Sequence, residues 1–292
     1  MSTRSVIPIP PCYNKDESLN LDGTLNYACY LVEHGATTLM TTVGTSQFNL
    51  LSIDEIHKFN ACLASAPCAK IFGIPPLSTL EAVKFATAGT YQNDSYLMAV
   101  YPDRFYSVKS IYDYMTRIRE AADKPIYLHA MPMRNGLGGE WNFTSEVVLQ
   151  LFEKDVICGI KEEHSNLQAS YNFIRQLPKE IDVIVAGGSM RRHLYLHSAG
   201  ANAFLAGVGN FFPEIENNYC TSIDNGLRGE EEIAQESKLF DVFFKYGWHP
   251  SLKEGLVCLG LSSYYYRKPW PQLDALAIEE IRKVILEVAN GK

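Results

Sequence analysis

Along the chain, short runs rich in apolar and β-branched residues alternate with longer stretches whose apolar positions recur at helical spacing. The short runs are "SVIPI", "TTLMTTV", "AKIFGI", "SYLMAV", "PIYLHAM", "VICGI", "DVIVAG" and "NAFLAG", eight candidate strands. Between them, "LDGTLNYACYLVEH", "SIDEIHKFNACLAS", "VKSIYDYMTRIREAAD" and "SNLQASYNFIRQL" read as helices, several opened by a Ser, Asp or Asn that can cap the first turn. A helix inserted between two strands returns the chain to the same end of the sheet, so the strands must run parallel. Eight such units predict an α/β fold of the (β/α)8 TIM barrel type, with a doubly wound open sheet as the competing arrangement. No G-x-G-x-x-G follows the first strand, which counts against a dinucleotide-binding sheet. From about Asn225 the pattern turns helical only, through "GEEEIAQESKLFDVFFKYG", "SLKEGLVCLGLSS" and "LDALAIEEIRKVILEVAN". The expected organisation is a catalytic barrel over residues 1–224 and a C-terminal helical extension over residues 225–292, packed on it.

The length of 292 residues suits one large barrel. With 47% hydrophobic and 20% charged residues and no apolar run long enough to span a bilayer, a soluble globular protein without a membrane partner is expected. The formal net charge is −7 and the basic residues are scattered, which argues against a nucleic acid partner. The N-terminal "MSTRSVIPIPP" is broken by prolines where a secretory signal needs a continuous apolar stretch, so a cytoplasmic location is expected. Seven cysteines without a CxxC pair, and seven histidines without HExxH, give no metal-ligand spacing. No metal and no cofactor are expected.

Candidate chemistry begins at "VICGIKEEHSN", where Lys161 stands at the end of an apolar strand and the start of an acidic loop. A lysine is costly to bury as a cation and readily deprotonated in apolar surroundings, which makes it a candidate nucleophile. In a barrel of this type chemistry gathers at the C-terminal ends of the strands. His129 lies near the end of the fifth strand, a place from which an imidazole can carry protons. Thr42, Gly44, Thr45 and Ser46 end the second, where turn amides and hydroxyls can hold a carboxylate. Blander readings stand beside these: a strand-end surface lysine, a core histidine bonded to backbone, hydroxyls that only cap a turn. Gly187 and Gly188 after the seventh strand admit a close ligand or simply make a turn. The "YYYR" run at 264–267 reads as core or subunit contact.

Taken in order, "VIPIPP…NLDG", "VGTSQFNLLS", "YLHAMPMRNG", "GIKE", "VAGGS", "FLAGVGNFFPE" and "RKPWPQL" resemble the dihydrodipicolinate synthase / N-acetylneuraminate lyase family of class I aldolases across essentially the whole chain. The resemblance implies a barrel whose Schiff-base lysine is Lys161, and a 2-oxo acid, commonly pyruvate, as donor or product. It implies that Gly44, Thr45 and Ser46 hold the 2-oxo acid carboxylate and that Leu205 lines the pocket beside the lysine, unless it is ordinary barrel filling. Arg134 falls where the synthases hold the far carboxylate of their acceptor, or else pairs with a neighbouring acid. Homotetramers or homodimers are usual in the family.

Two departures bear on mechanism. Where the family carries a tyrosine three residues before the fifth-strand proline, this chain reads His129, Ala130, Met131, Pro132. The usual proton relay is therefore absent, and histidine is the candidate to replace it. The turn "GTSQFNLLS" is one residue shorter than the family's form, with Gln47 where an acid is usual; Tyr101 and Tyr106 stand near the family's second tyrosine but out of clear register. The first expectation is a Schiff-base 2-oxo acid aldolase or lyase, extending to a 2-oxo-3-deoxy sugar acid lyase or dehydratase. The alternatives are dihydrodipicolinate synthase itself, condensing pyruvate with aspartate semialdehyde, and a catalytically degenerate barrel that only binds ligand.

Overall fold

Each of the eight apolar runs forms a strand. The computed structural model describes residues 2–88, 95–104, 106–135 and 139–291. In it β1 (Arg4–Pro8), β2 (Thr38–Met40), β3 (Ala69–Ile74), β4 (Ser95–Ala99), β5 (Ile126–Ala130), β8 (Ile157–Glu162), β9 (Asp182–Val185) and β10 (Ala203–Leu205) form a closed barrel. Its order is β1, β10, β9, β8, β5, β4, β3, β2, so each strand neighbours the next barrel strand in the chain. All the resolved pairings are parallel. Between β5 and β8 an antiparallel hairpin of β6 (Met133–Asn135) and β7 (Gly139–Trp141) is inserted, which periodicity does not announce.

The crossover helices are α1 (Leu21–Glu33), α2 (Ile53–Ala64), α3 (Thr79–Ala88), α4 (Val108–Ala122), α5 (Ser145–Glu153), α6 (Leu167–Ile174), α7 (Ser189–His197) and α8 (Pro213–Asp224). Ser52 and Glu55 make a reciprocal capping box at the start of α2, and Asn166 accepts from Ala169 N at the start of α6. These caps satisfy amides that the first turn leaves without partners. The helices α9 (Glu230–Tyr246), α10 (Trp248–Cys258) and α11 (Ala275–Asn290) complete the C-terminal helical part. No described helix is long and apolar enough to cross a membrane.

The chain divides into two compact units, Met1–Arg4 with Lys70–Leu205, and Ser5–Ala69 with Ala206–Lys292. Within the first, strand register stacks side chains in layers, because residues two apart along a strand share a face. Tyr127 on β5, Gly159 on β8 and Asp182 on β9 occupy adjoining positions in one layer. The Tyr127 hydroxyl donates to the Asp182 carboxylate, which also pairs with Arg4. Gly159 is what lets the tyrosine ring cross: a Cβ there would stand 2.5 Å from Tyr127 Cε1 and 2.7 Å from Asp182 O. The Gly159→Ala protein is expected to lose about 1–3 kcal/mol of stability, the usual range for overpacking a dense interior. Urea unfolding followed by circular dichroism reads this as a lower midpoint, and an unchanged midpoint would show that the ring does not need the gap.

Candidate active site

One layer above that glycine, the pairing of β5 with β8 sets His129 opposite Lys161. Both side chains are interior, Lys161 being 2% and His129 4% exposed. Lys161 Nζ lies 2.8 Å from His129 Nε2. Just past the end of β8, Glu163 reaches back over both. Its Oε2 accepts from Lys161 Nζ at 2.6 Å and stands 2.7 Å from His129 Nε2. The Glu163 side chain is 41% exposed, so it links the buried pair to solvent.

The charges of these groups are mutually dependent. Burial, and then the Lys161 charge, push the His129 imidazole down to about 4 against the pull of Glu163, which leaves it neutral near pH 7. Burial alone would raise Glu163, but the Lys161 cation and the His129 hydrogen bond outweigh it and hold the carboxyl well below its usual range. With a neutral imidazole, the three contacts have one proton too few. Nε2 can donate to Glu163 or accept from Lys161, and it cannot do both at once. On the far side of the ring, Nδ1 is buried with no hydrogen-bond partner among the described residues. An unmade buried hydrogen bond costs about 1–3 kcal/mol, so this histidine is poorly explained as a core residue satisfied by backbone.

The loop that carries Glu163 is held from behind. Glu162, fully buried, points to the opposite face of β8, where its Oε1 accepts from His164 N at 2.8 Å, His164 Nδ1 at 2.6 Å and Ser170 Oγ at 2.8 Å. Its Oε2 accepts from Arg192 Nη2 at 3.1 Å. Burial pushes this carboxyl up, and the hydrogen bonds and the arginine charge hold it below its ordinary value regardless. The buried acid thus ties the loop to α6 and α7 and fixes the residue on either side of it.

Sequence reasoning named Lys161 and His129 and passed over Glu163. A signal was present in "KEE": residues 161 and 163 share a face at strand spacing while 162 takes the other.

The turn after β2 belongs to the second unit. Gly44–Ser46 forms one 3-10 turn, closed by Ser46 N–H donating to Val43 O at 2.9 Å and Gln47 N–H to Gly44 O at 3.0 Å. Those two amides are engaged within the turn, while those of Gly44 and Thr45 have no acceptor among the described residues. Thr42 Oγ1 and Ser46 Oγ are buried without partners among the described residues. Thr42 holds φ 54°, a left-handed conformation that a β-branched residue adopts only under constraint. A Cβ on Gly44 would stand 3.7 Å from His249 Nε2, so the bare face of the glycine opens toward a histidine on α10 that no motif singles out. Burial lowers the pKa of that imidazole. Gln47, also left-handed, accepts from Tyr13 OH at 3.1 Å.

Arg134 sits on β6 with its side chain 67% exposed, its Nε donating to Asp103 Oδ2 at 2.6 Å and its backbone N–H to Asp103 Oδ1 at 2.6 Å. Leu205 ends β10, half-buried. Gly187 and Gly188 take φ 78° and 137°, backbone that favours glycine at the entry to α7.

Comparison with known proteins follows the same lines. The sequence matches the profile of the dihydrodipicolinate synthetase family over residues 1–288. The 4-hydroxy-tetrahydrodipicolinate synthase of Phocaeicola vulgatus is 25% identical over 289 residues, covering 94% of this chain and 93% of that protein. Its namesake in Archaeoglobus fulgidus is 24% identical over 281 residues, with the same coverage of 94% and 93%. Among solved structures, N-acetylneuraminate lyase from Fusobacterium nucleatum superposes with a TM-score of 0.83 at 18% identity, over 99% of each chain. A prophage protein of the dihydrodipicolinic acid synthase family from E. coli K12, in complex with pyruvate, superposes with a TM-score of 0.85 at 16% identity, over 98% of each.

Proposed function

Since the chain belongs to the dihydrodipicolinate synthetase family, we propose that it is a Schiff-base-forming aldolase or lyase, with pyruvate or a related 2-oxo acid as donor or product. The observation that carries this reading is a lysine amine, Lys161 Nζ, buried at a barrel strand end and within hydrogen-bond reach of both an imidazole and a carboxylate. A nucleophile bonded to groups able to move its protons is the arrangement that covalent catalysis needs.

The Lys161 amine adds to the C2 carbonyl of the 2-oxo acid, and the carbinolamine loses its oxygen as water. The product is an iminium whose positive nitrogen accepts the electron pair released when a bond to C3 breaks, whether that bond is to hydrogen or to carbon. Glu163 lies where its negative charge favours the iminium. His129 and Glu163 are the proton carriers, and they take the part of the absent tyrosine. Gly44, Thr45 and Ser46 are assigned to the substrate carboxylate, a reading supported by the unpartnered Ser46 hydroxyl and the strained Thr42 beside the turn. Arg134 serves the substrate's far end in this scheme only after leaving Asp103, and Leu205 contributes apolar lining.

The test is to incubate the protein with pyruvate, reduce with borohydride and locate the adduct by peptide mass spectrometry. One reduced pyruvate on Lys161 is expected. Absence of an adduct with pyruvate and with longer 2-oxo acids would leave the ligand-binding barrel as the better description. The names of the curated relatives favour condensation as a second reading, tested by supplying aspartate semialdehyde together with pyruvate.

A further inference from the structure

The turn after β2 and the helix α10 both belong to the second unit, and they approach each other at Gly44. Neither backbone nor crowding demands a glycine there. Its φ is not among the left-handed values, and a Cβ would meet one described atom within 4 Å outside the adjoining residues, His249 Nε2 at 3.7 Å, an ordinary contact. The residue is exposed, and the two peptide N–H groups that flank its Cα, those of Gly44 and Thr45, have no acceptor among the described residues. Glycine is explained at such a place by the close approach of a ligand to the backbone, and consecutive free amides favour a ligand that is an anion.

His249 is the second residue of α10 and is half-buried against the Trp270 ring, with centroids 5.7 Å and planes 76° apart. It makes no hydrogen bond to a described residue, and neither ring nitrogen is sealed from solvent. Burial lowers its pKa and no charged side chain contributes, so the ring is neutral near pH 7 and carries one N–H. A ligand oxygen laid on the bare face of Gly44 stands farther out than a bonded carbon would, with room to close to the 2.7–3.2 Å of an ordinary N–H···O bond with Nε2. We propose that His249 is a further binding residue for the 2-oxo acid, its Nε2–H donating to the carboxylate that the Gly44 and Thr45 amides receive. The inference rests on the reading above in which this turn holds the substrate carboxylate.

The measurement is the pyruvate concentration that half-saturates borohydride trapping on the full-length protein. Pyruvate has nothing beyond C3, so a change reports on its carboxylate end. His249→Phe keeps a ring against Trp270 and removes both nitrogens. It is expected to raise the half-saturating concentration by about 10- to 100-fold, the range of a hydrogen bond to a charged group, and to leave trapping at saturation within about two-fold. His249→Gln, which can still present an N–H, is expected to recover most of the loss. Gly44→Ala, whose methyl fits the protein but takes the oxygen's place, is expected to weaken pyruvate as well. The Lys161→Ala protein gives a reading without imine formation: pyruvate is expected to shift the NMR signal of the His249 Hε1 proton, assigned by its absence from the His249→Gln spectrum. A signal that does not move, or half-saturation unchanged in both His249→Phe and Gly44→Ala, would overturn the proposal. Protein that shifts this signal yet traps no pyruvate would uphold His249 and remove the Schiff-base reading. Trapping on Lys161 with the histidine signal unmoved would do the reverse.

Discussion

Replacing Lys161 with alanine is expected to abolish exchange of the methyl protons of pyruvate with solvent deuterium, a loss on the order of 10⁴-fold or more, about 5 kcal/mol of barrier. This exchange, followed by proton NMR, needs imine formation and removal of a C3 proton but no second substrate, so it is readable before the acceptor is known. The size of the effect comes from the loss of the electron sink. Without the iminium nitrogen, the pair left on C3 is stabilised only by a neutral carbonyl. Lys161→Arg is expected to fail equally, since a guanidinium stays protonated and cannot attack. The fold should survive: Glu163, the acid left without its cation, is 41% exposed and can be hydrated. His129 supplies an internal check. The Lys161 charge is one of the two causes that push its imidazole down to about 4, so its pKa should rise in Lys161→Ala, visible in an NMR titration of the ring. Exchange persisting within ten-fold of wild type would remove Lys161 from the mechanism.

How much of this site was legible in the sequence depends on the distance over which each residue is determined. Lys161 was legible because strand, strand end and lysine are consecutive in "VICGIKEE". The barrel was legible for a similar reason, since each of its strands pairs with the next and eight local patterns suffice to imply the ring. Local helix signals are uneven: α5 has its cap, Thr144 accepting from Val147 N, and others do not. α7 opens on Gly188 with no side-chain cap, and α8 opens on Pro213 with no capping side chain either. The placement of His129 depended on register: whether it met Lys161 or its neighbour was decided by the β5–β8 pairing, which includes a shift between Ile126 and Tyr127. A one-residue slip would have turned it to the other face. Least legible were groups recognised by what they lack. Nδ1 of His129 and the hydroxyl of Ser46, both without a partner among the described residues, are properties of three-dimensional surroundings, and no spacing encodes them.

The second large effect expected is at Glu163. Glu163→Gln should slow pyruvate methyl exchange by about 10²- to 10³-fold, the usual worth of a positioned acid or base, while borohydride still traps pyruvate on Lys161. That split separates a proton carrier from a residue that only holds the lysine in place, whose loss would lower trapping and exchange together. His129→Ala should produce a similar fall in exchange. The double variant should be little worse than either single one, because the two groups share one proton through the 2.7 Å contact. Wild-type exchange in Glu163→Gln would exclude the carboxylate from the relay. At first sight both groups are poor bases, since the Lys161 charge holds Glu163 down, and burial together with that charge holds His129 near 4. That charge, however, is present only before the proton moves. In the iminium it sits on the Lys161 nitrogen and acidifies C3; as the C3 proton leaves, the electron pair flows into the nitrogen and the charge disappears. The part of the depression that the charge causes is removed by the transfer itself, most of all for Glu163, so the acceptors' affinity for the proton rises as they receive it. Glu163, the one member of the trio with substantial exposure, can then pass it to solvent, and this is the event that the deuterium measurement records.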